Sequence, residues 1–162
     1  MNDSYCERYM RMALEEAQAD ENEVPVGAVI VRDGQVIAKA HNARESSPPD
    51  PLGHAELLAL SEAAKMLGTR RLSGCVLYVT LEPCPMCAGA ILQAAPAACY
   101  FGAYDAEQGC CGSVYTLTQD PAFSGRVPTA GGFLRAEAEA LMKRFFEKKR
   151  VKEPPNQSKQ PE

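Results

Sequence analysis

The sequence predicts a layered α/β domain, because strand-like and helix-like segments alternate along it. A β-branched run at 24–31 and a second apolar run at 35–40 flank Asp33-Gly34, a dipeptide typical of hairpin turns. Helical and strand patterns then alternate up to residue 101, which favours a sheet covered by helices. The chain has 162 residues, 46% hydrophobic and 23% charged, which is typical of one globular domain.

The N-terminal half predicts a helix, the hairpin, a loop and a second helix. Residues 4–19 carry apolar side chains at helical spacing, so an amphipathic helix is expected there. Three prolines between residues 43 and 53 predict a loop. A helix over 54–67 should end at Gly68, because glycine readily adopts the left-handed conformation of a C-terminal helix cap.

The C-terminal half predicts a strand, a short helix and a strand in succession, at 75–80, 85–95 and 97–101. Residues 103–131 are rich in turn-forming residues, with one short helix expected near 113–117. A long final helix is expected over 132–150. Phe145 and Phe146 lie on its apolar side, and we expect at least one of them in the core.

Composition excludes several functional classes and defines the domain. No apolar run reaches the 18 residues of a membrane span, and the N-terminus shows no secretory pattern, so a cytoplasmic protein without membrane contact is expected. The net charge of −4 argues against indiscriminate nucleic-acid binding, although residues 143–152 hold six basic residues and one acidic residue. The polar, proline-rich segment 153–162 predicts a disordered tail after a domain over 1–152.

Two short motifs carry the chemistry. His54-Ala55-Glu56 opens one predicted helix, and Pro83-Cys84-Pro85-Met86-Cys87 precedes another. One histidine and two thiolates are ligands that zinc prefers, and a catalytic zinc keeps its fourth position open for water. We therefore predict a catalytic zinc site at His54, Cys84 and Cys87. The remaining cysteines are expected to be buried thiols: Cys6, Cys75, Cys99, Cys110 and Cys111.

Glu56 distinguishes a catalytic from a structural site. A carboxylate two residues after the histidine can hold the metal-bound water and move its proton, whereas a structural zinc would use a fourth protein ligand. A redox Cys-x-x-Cys pair fits less well, because it leaves His54 and Glu56 without a role. The pattern H-x-E…P-C-x-x-C is the signature of zinc-dependent nucleobase deaminases, in which the glutamate is the acid/base.

Sequence blocks well beyond these residues carry a family resemblance. They are EVPVGAV at 23–29, HN at 41–42, GHAE at 53–56, LYVTLEPCPMCAGAI at 77–91, FGA at 101–103 and GFL at 132–134. In these blocks, over about residues 5–150, the chain resembles the bacterial tRNA-specific adenosine deaminases of the cytidine-deaminase-like superfamily.

The resemblance implies a fold, a cofactor and a reaction. The fold would be a three-layer α/β/α cytidine-deaminase-like fold, with a mixed sheet of about five strands flanked by helices. A homodimer is implied, with one Zn²⁺ per subunit and no organic cofactor. The substrate would be the wobble adenosine of a tRNA anticodon stem-loop. Zinc-bound hydroxide would attack C6 of the flipped-out adenine, with Glu56 as proton shuttle, and ammonia would leave to give inosine.

The resemblance also implies substrate-binding residues. Asn42 matches a family residue that hydrogen-bonds the target nucleoside, and Val26 is expected to line the pocket. Asp105 is a further residue that matches the family and is also expected to bind substrate. The basic final helix fits phosphate contacts, and its Phe146 offers a face on which a base could stack.

Two loops depart from the family pattern. Ala106-Glu107-Gln108 stands where many members have a lysine, and Ser124-Gly125 stands where Asn-His is common. These departures keep open a deaminase of a free nucleobase or nucleoside, such as guanine or cytosine. A zinc-stabilised RNA-binding module without activity is a third hypothesis, which the presence of Glu56 in its catalytic register disfavours.

Overall fold

A mixed sheet of five strands forms the centre of the molecule. The computed structural model describes residues 3–152, so the predicted tail at 153–162 lies outside the described residues. The strands are β1 (Gly27–Arg32), β2 (Gln35–His41), β3 (Cys75–Leu81), β4 (Ala98–Ala103) and β5 (Thr129–Gly131). The helices are α1 (Asp3–Glu16), α2 (Ala55–Leu67), α3 (Pro85–Ala94) and α4 (Arg135–Lys152), with a short 3-10 helix at Leu117–Gln119.

The strand order is β2-β1-β3-β4-β5, and its two halves differ in direction. The strand β1 runs antiparallel to β2 and β3, whereas β3, β4 and β5 are parallel. Gly27 pairs with His41, and Ala28 pairs with Val79. The start of β1 and the ends of β2 and β3 therefore meet at one end of the sheet, opposite the Asp33-Gly34 turn.

Helices cover both faces of the sheet, which confirms the three-layer α/β/α prediction. Ala28, Ile30, Leu77 and Val79 pack with apolar residues of α2 and α3 on one face. On the other face, the strand residues between them pack against the buried side of α1: Val29, Val31 and Tyr78 against Tyr9, Met10 and Ala13. The helix α4 packs beside α1 through Ala138 and Leu141. No helix within residues 3–152 is both long and apolar enough to cross a membrane.

The segment after β3 shows the main differences from the sequence-based expectations. The strand β4 continues through Gly102, where an added Cβ would lie 2.7 Å from the Thr80 carbonyl oxygen, so this glycine permits close strand packing. The strand β5 was not predicted. The short helix expected near 113–117 lies later, as the 3-10 helix Leu117–Gln119, because the N–H groups of Val114 and Tyr115 both donate to the Gly109 carbonyl and fold the preceding residues into turns.

The expectation that a C-terminal aromatic side chain packs in the core is also wrong. Phe145 is half-buried and Phe146 is 43% exposed. Their rings contact each other edge to face, with centroids 5.3 Å apart. The buried residues of α4 are Ala138 and Leu141 instead, so the C-terminal turns of this helix present both aromatic rings toward its surface.

Candidate metal centre and active site

Two helix N-termini bring the predicted ligands together. His54 is the N-cap residue of α2, and Cys84 is the N-cap residue of α3. Cys87 lies in the first turn of α3. The His54 side chain makes no capping hydrogen bond to α2, so its imidazole is available to a ligand. The positive ends of both helix dipoles face this point and favour thiolate over thiol.

The geometry of the three ligand atoms fits zinc. The His54 Nδ1 lies 3.7 Å from the Cys84 Sγ and 3.5 Å from the Cys87 Sγ, and one candidate ligand atom from each residue lies within 4.8 Å of the others. Ordinary Zn–N and Zn–S bonds at tetrahedral angles place nitrogen and sulfur about 3.6 Å apart. The donor set and its spacing therefore match a tetrahedral ion with three protein ligands.

The two thiols differ in acidity. Hydrogen bonds from the Cys87 side chain and from backbone N–H groups lower the pKa of Cys84 to about 5, although burial acts in the opposite direction. Donation to Cys84, together with burial, raises the pKa of Cys87. A divalent cation bound by both sulfur atoms would favour the loss of the Cys87 proton.

Glu56 lies in the first turn of α2 with its carboxyl group beside this pair. Its side chain is buried, and its Oε2 has no hydrogen-bond partner among residues 3–152. Burial is the main reason that its pKa is raised to about 7. A buried polar atom without a partner is uncommon, which indicates that this oxygen faces a group that the protein itself does not supply.

Asn42 connects the end of β2 to the start of α2. Its Oδ1 accepts a hydrogen bond of 3.0 Å from the N–H of Ala55, the residue after His54. Asn42 is 5% exposed, and none of the hydrogen bonds found within residues 3–152 involves its Nδ2. One end of this amide therefore positions the histidine-bearing helix, while the other end remains available as a donor.

The other predicted substrate residues lie in three different parts of the chain. Val26 is buried directly before β1, and its carbonyl oxygen accepts the N–H of Asn42 at 3.1 Å. Asp105 follows β4, and its Oδ1 accepts the N–H groups of Glu107 and Gln108 at 2.9 and 3.1 Å. Phe146 lies on the exposed side of α4. The backbones of Val26 and Asn42 are thus hydrogen-bonded to each other. The Asp105 carboxylate instead accepts hydrogen bonds from the turn that follows it.

Sequence reasoning missed one buried carboxylate next to the ligands. Glu82 lies between the end of β3 and Pro83, two residues before Cys84, and is only 1% exposed. All its carboxylate partners come from residues 105–113. A charged residue directly after an apolar strand was a signal in the sequence, but the strand pattern alone does not show which loop would bind it.

A groove lies where α4 ends, against the segment that joins α1 to β1. It has a volume of about 710 Å³. Residues of α4 line it together with Glu21 and Asn22; those of α4 are Phe145, Glu147, Val151 and three lysines. Asn22 precedes Val26 by four residues, so the groove and the start of β1 are linked by a short stretch of chain. The lysines concerned are Lys148, Lys149 and Lys152.

Comparison with known proteins places this geometry among deaminases. Residues 3–103 match the family model described as the cytidine and deoxycytidylate deaminase zinc-binding region. The chain is 45% identical over 148 residues to a tRNA-specific adenosine deaminase of Bacillus subtilis, covering 90% of this chain and 91% of that one. It is 42% identical over 146 residues to the Aquifex aeolicus protein of the same name, covering 89% and 95%.

A solved structure agrees with these relatives. It comes from work on A-to-I editing by tRNA:A34 deaminases at the wobble position of transfer RNA. Its TM-score is 0.78 and its sequence identity 38%, over 83% of this chain and 98% of that chain.

Proposed function

Because the chain belongs to the bacterial tRNA-specific adenosine deaminases, within the cytidine and deoxycytidylate deaminase family, we propose that it converts the wobble adenosine of a tRNA anticodon loop to inosine. The observation that carries the catalytic part is the buried Oε2 of Glu56, which has no partner among the described residues. A structural zinc site would have no use for this carboxylate.

His54, Cys84 and Cys87 are proposed to hold one zinc ion. Their nitrogen and sulfur donors and the spacing of these atoms support that assignment. When bound, zinc acts as a Lewis acid and turns water into a nucleophile at neutral pH. The two helix N-termini help to hold both cysteines as thiolates.

Glu56 is proposed to move the proton. Its Oε2 accepts a proton from the attacking water and then gives a proton to the departing amine. A C–O bond forms at C6 of adenine while the C6–N bond breaks, so adenosine and water give inosine and ammonia. Burial protects this carboxyl group from bulk water, which keeps the proton transfer within the site.

Asn42 and Val26 are proposed to receive the nucleoside. The Nδ2 of Asn42 can donate to it, because the Oδ1 of this residue is already bonded to Ala55. Val26 supplies apolar surface beside Asn42. A base in a single-stranded loop leaves its stack at low cost, which suits a buried site of this kind.

The end of α4 is proposed to contact the RNA backbone. The groove beside it combines three lysines with the ring of Phe145, and Phe146 is exposed on the same helix. Lysines can bind phosphates, and aromatic rings can stack on unpaired bases. The turn that Asp105 closes presents Glu107 to solvent, so this turn would contribute a negative charge to the RNA-facing surface.

A homodimer is part of this proposal, and a cytoplasmic location remains a prediction. Large apolar side chains are exposed on the described part of the chain, including Leu52, Met66 and Tyr115. Exposed apolar side chains that lie singly are normal on a monomer, so the family resemblance is what supports the dimer. Sedimentation equilibrium should give twice the chain mass of 17.5 kDa, and the mass of a single chain would contradict the dimer.

The decisive experiment compares an RNA with small substrates. The zinc-loaded protein is incubated with an anticodon stem-loop that carries adenosine at the wobble position, and inosine is detected by sequencing. Parallel reactions contain free adenosine, adenine, guanine or cytosine. Glu56→Gln serves as the matched control, because it keeps the size of the side chain and removes its proton transfer.

We expect inosine only in the stem-loop, and we expect Glu56→Gln to retain zinc without forming inosine. Conversion of a free base by a protein that leaves the stem-loop unchanged would replace the tRNA assignment with that of a nucleobase deaminase. Full activity of Glu56→Gln would refute the proposed proton transfer.

A further inference from the structure

Glu82 is a buried carboxylate that binds a single loop through both of its oxygens. Its Oε1 accepts the N–H groups of Cys111 and Ser113 at 3.0 and 2.9 Å. Its Oε2 accepts the N–H of Asp105 at 3.0 Å and the hydroxyl of Ser113. Residues 105–113, here called the anchored loop, thus provide all four donors.

The anchored loop is shaped around this carboxylate. None of the ion pairs found within residues 3–152 involves Glu82, so backbone and hydroxyl dipoles satisfy the group. Burying a carboxylate is costly unless hydrogen bonds compensate, and bonds to a charged acceptor are strong. At Gly109, an added Cβ would lie 2.4 Å from both the Cδ and the Oε2 of Glu82. The absence of a side chain at Gly109 therefore makes room for the carboxyl group.

The anchored loop is also joined to the ligand-bearing segment. The N–H of Cys110 donates to the carbonyl of Pro83 at 2.9 Å, directly before Cys84. The N–H of Glu82 itself donates to the carbonyl of Ala103 at 2.8 Å, at the end of β4. The loop is thus joined to the residue before Cys84, and the end of the strand that leads into the loop is joined to the Glu82 backbone.

We propose that Glu82 is a positioning residue that holds the anchored loop as a preformed wall beside the metal ligands, against which the RNA substrate docks. Its carboxylate replaces hydrogen bonds that the loop would otherwise make with water, so the loop has one conformation before RNA arrives. Preformed surfaces bind more tightly because less conformational freedom is lost on binding. This inference rests on the proposed function for its substrate, but the anchoring itself can be tested without activity.

The test uses Glu82→Gln and Glu82→Ala in the full-length, zinc-loaded protein. The glutamine keeps the size of the side chain but turns an NH₂ group toward donors, and the alanine leaves all four donors without their partner. Ser113→Ala removes a single donor. Met10→Ala is the control, because Met10 is fully buried on α1, on the opposite face of the sheet. It lowers the stability of the fold without touching the loop.

Four quantities are measured: zinc content, melting temperature, amide hydrogen exchange and the kinetics of stem-loop deamination. Both Glu82 variants should retain one zinc per chain and show faster exchange confined to 105–113. Their kcat/KM should fall roughly 10- to 100-fold, because binding of RNA then carries the entropy cost of ordering the loop. Most of the loss should appear in KM, because the wall binds RNA in both the ground state and the transition state. Ser113→Ala should give a smaller change in the same direction.

Two outcomes would overturn the inference. One is unchanged exchange at 105–113 in Glu82→Gln. The other is a loss of activity that Met10→Ala reproduces at an equal drop in melting temperature, because a general loss of stability would then explain it. If the wild-type protein does not deaminate the stem-loop, the proposed function fails. Hydrogen exchange in the anchored loop would still test the positioning role of Glu82, because this measurement does not depend on activity.

Discussion

Replacing Asn42 should separate two functions of one side chain. In the structure, the Oδ1 of Asn42 accepts the N–H of Ala55 at 3.0 Å. Ala55 is fully buried, and the His54 side chain does not cap this helix. In Asn42→Ala, the Ala55 N–H would lose its partner without gaining access to water. We expect α2 to be less stable at the end that carries a zinc ligand.

The size of this effect follows from the burial of the donor. An unsatisfied buried donor costs about 1–3 kcal/mol. For a chain of this length, that corresponds to a drop in melting temperature of roughly 2–12 °C. Urea unfolding followed by circular dichroism, with zinc in excess, measures the change in free energy directly. A loss below about 0.5 kcal/mol would show that the hydrogen bond to Ala55 does not stabilise the helix.

Asn42→Asp supplies the complementary test. A carboxylate at this position can still accept the Ala55 N–H, and a negative charge is favourable near a helix N-terminus. The hydrogen bond to Ala55 is therefore retained, and any fall in the free energy of unfolding reflects the burial of the new carboxylate. The variant has no amide donor for the nucleoside, so kcat/KM for the stem-loop should fall roughly ten- to hundredfold. Wild-type activity in Asn42→Asp would refute the proposed contact between Nδ2 and the substrate.

Three further predictions concern the metal, the packing and the acid stability. A chelator should lower the melting temperature by roughly 10 °C when zinc had been present at a thousand times its Kd, whereas an unchanged calorimetric transition would argue against a bound ion. Gly27→Ala should cost more than about 2 kcal/mol in urea unfolding, because the new Cβ would lie 2.1 Å from the backbone oxygen of Ala13. Burial raises the pKa of Glu16, but hydrogen bonds from His41 and Lys39 outweigh it and lower the pKa below its ordinary value near 4.5. The stabilisation by Glu16 is therefore complete above its ordinary pKa and is lost as the pH falls through its lowered pKa in the fold, so Glu16→Gln should reduce the melting temperature at pH 7 and reduce it progressively less as the pH falls below 4.5.

The parts of the fold that depend on local signals were predictable. Asp33 and Gly34 both adopt positive φ angles, of 50° and 75°, which is the conformation that this dipeptide favours in a hairpin turn. Gly68 closes α2 at φ 64°, as expected for a left-handed cap. In each case the residue type itself limits the backbone, so neighbouring residues were sufficient for the prediction.

Elements that depend on distant partners were not predictable in the same way. The strand β5 has only three residues and pairs with β4 alone, so its sequence carries little pattern of its own. The turns near 113–117 depend on the Gly109 carbonyl and on the Glu82 carboxylate. Phe145 and Phe146 have the apolar character of core residues, but the contact of α4 with α1 involves earlier turns of the helix.

The candidate site shows the same difference between features set by the local sequence and features set by distant partners. His54, Cys84 and Cys87 could be recognised because zinc restricts its ligands to few residue types, and helix starts place them at short spacing. The hydrogen bond by which Asn42 holds the start of α2 could not be read from the sequence, because the Ala55 N–H that it binds lies 13 residues away. Glu82 was missed for the same reason, since its donors lie 23 to 31 residues further along the chain.

The position of the candidate site at two helix starts explains how the chain can depart from its family in two loops and still keep the residues proposed for catalysis. The metal ligands and Glu56 lie at the starts of two helices that pack against the central sheet, so a change elsewhere on the surface does not move them. Glu107, Ser124 and Gly125 are all exposed. Their substitution would change the charge and shape of the surface that we propose to meet RNA, and would leave the proposed proton transfer intact. Variation at these positions should therefore alter which RNA binds before it alters how fast a bound adenosine reacts.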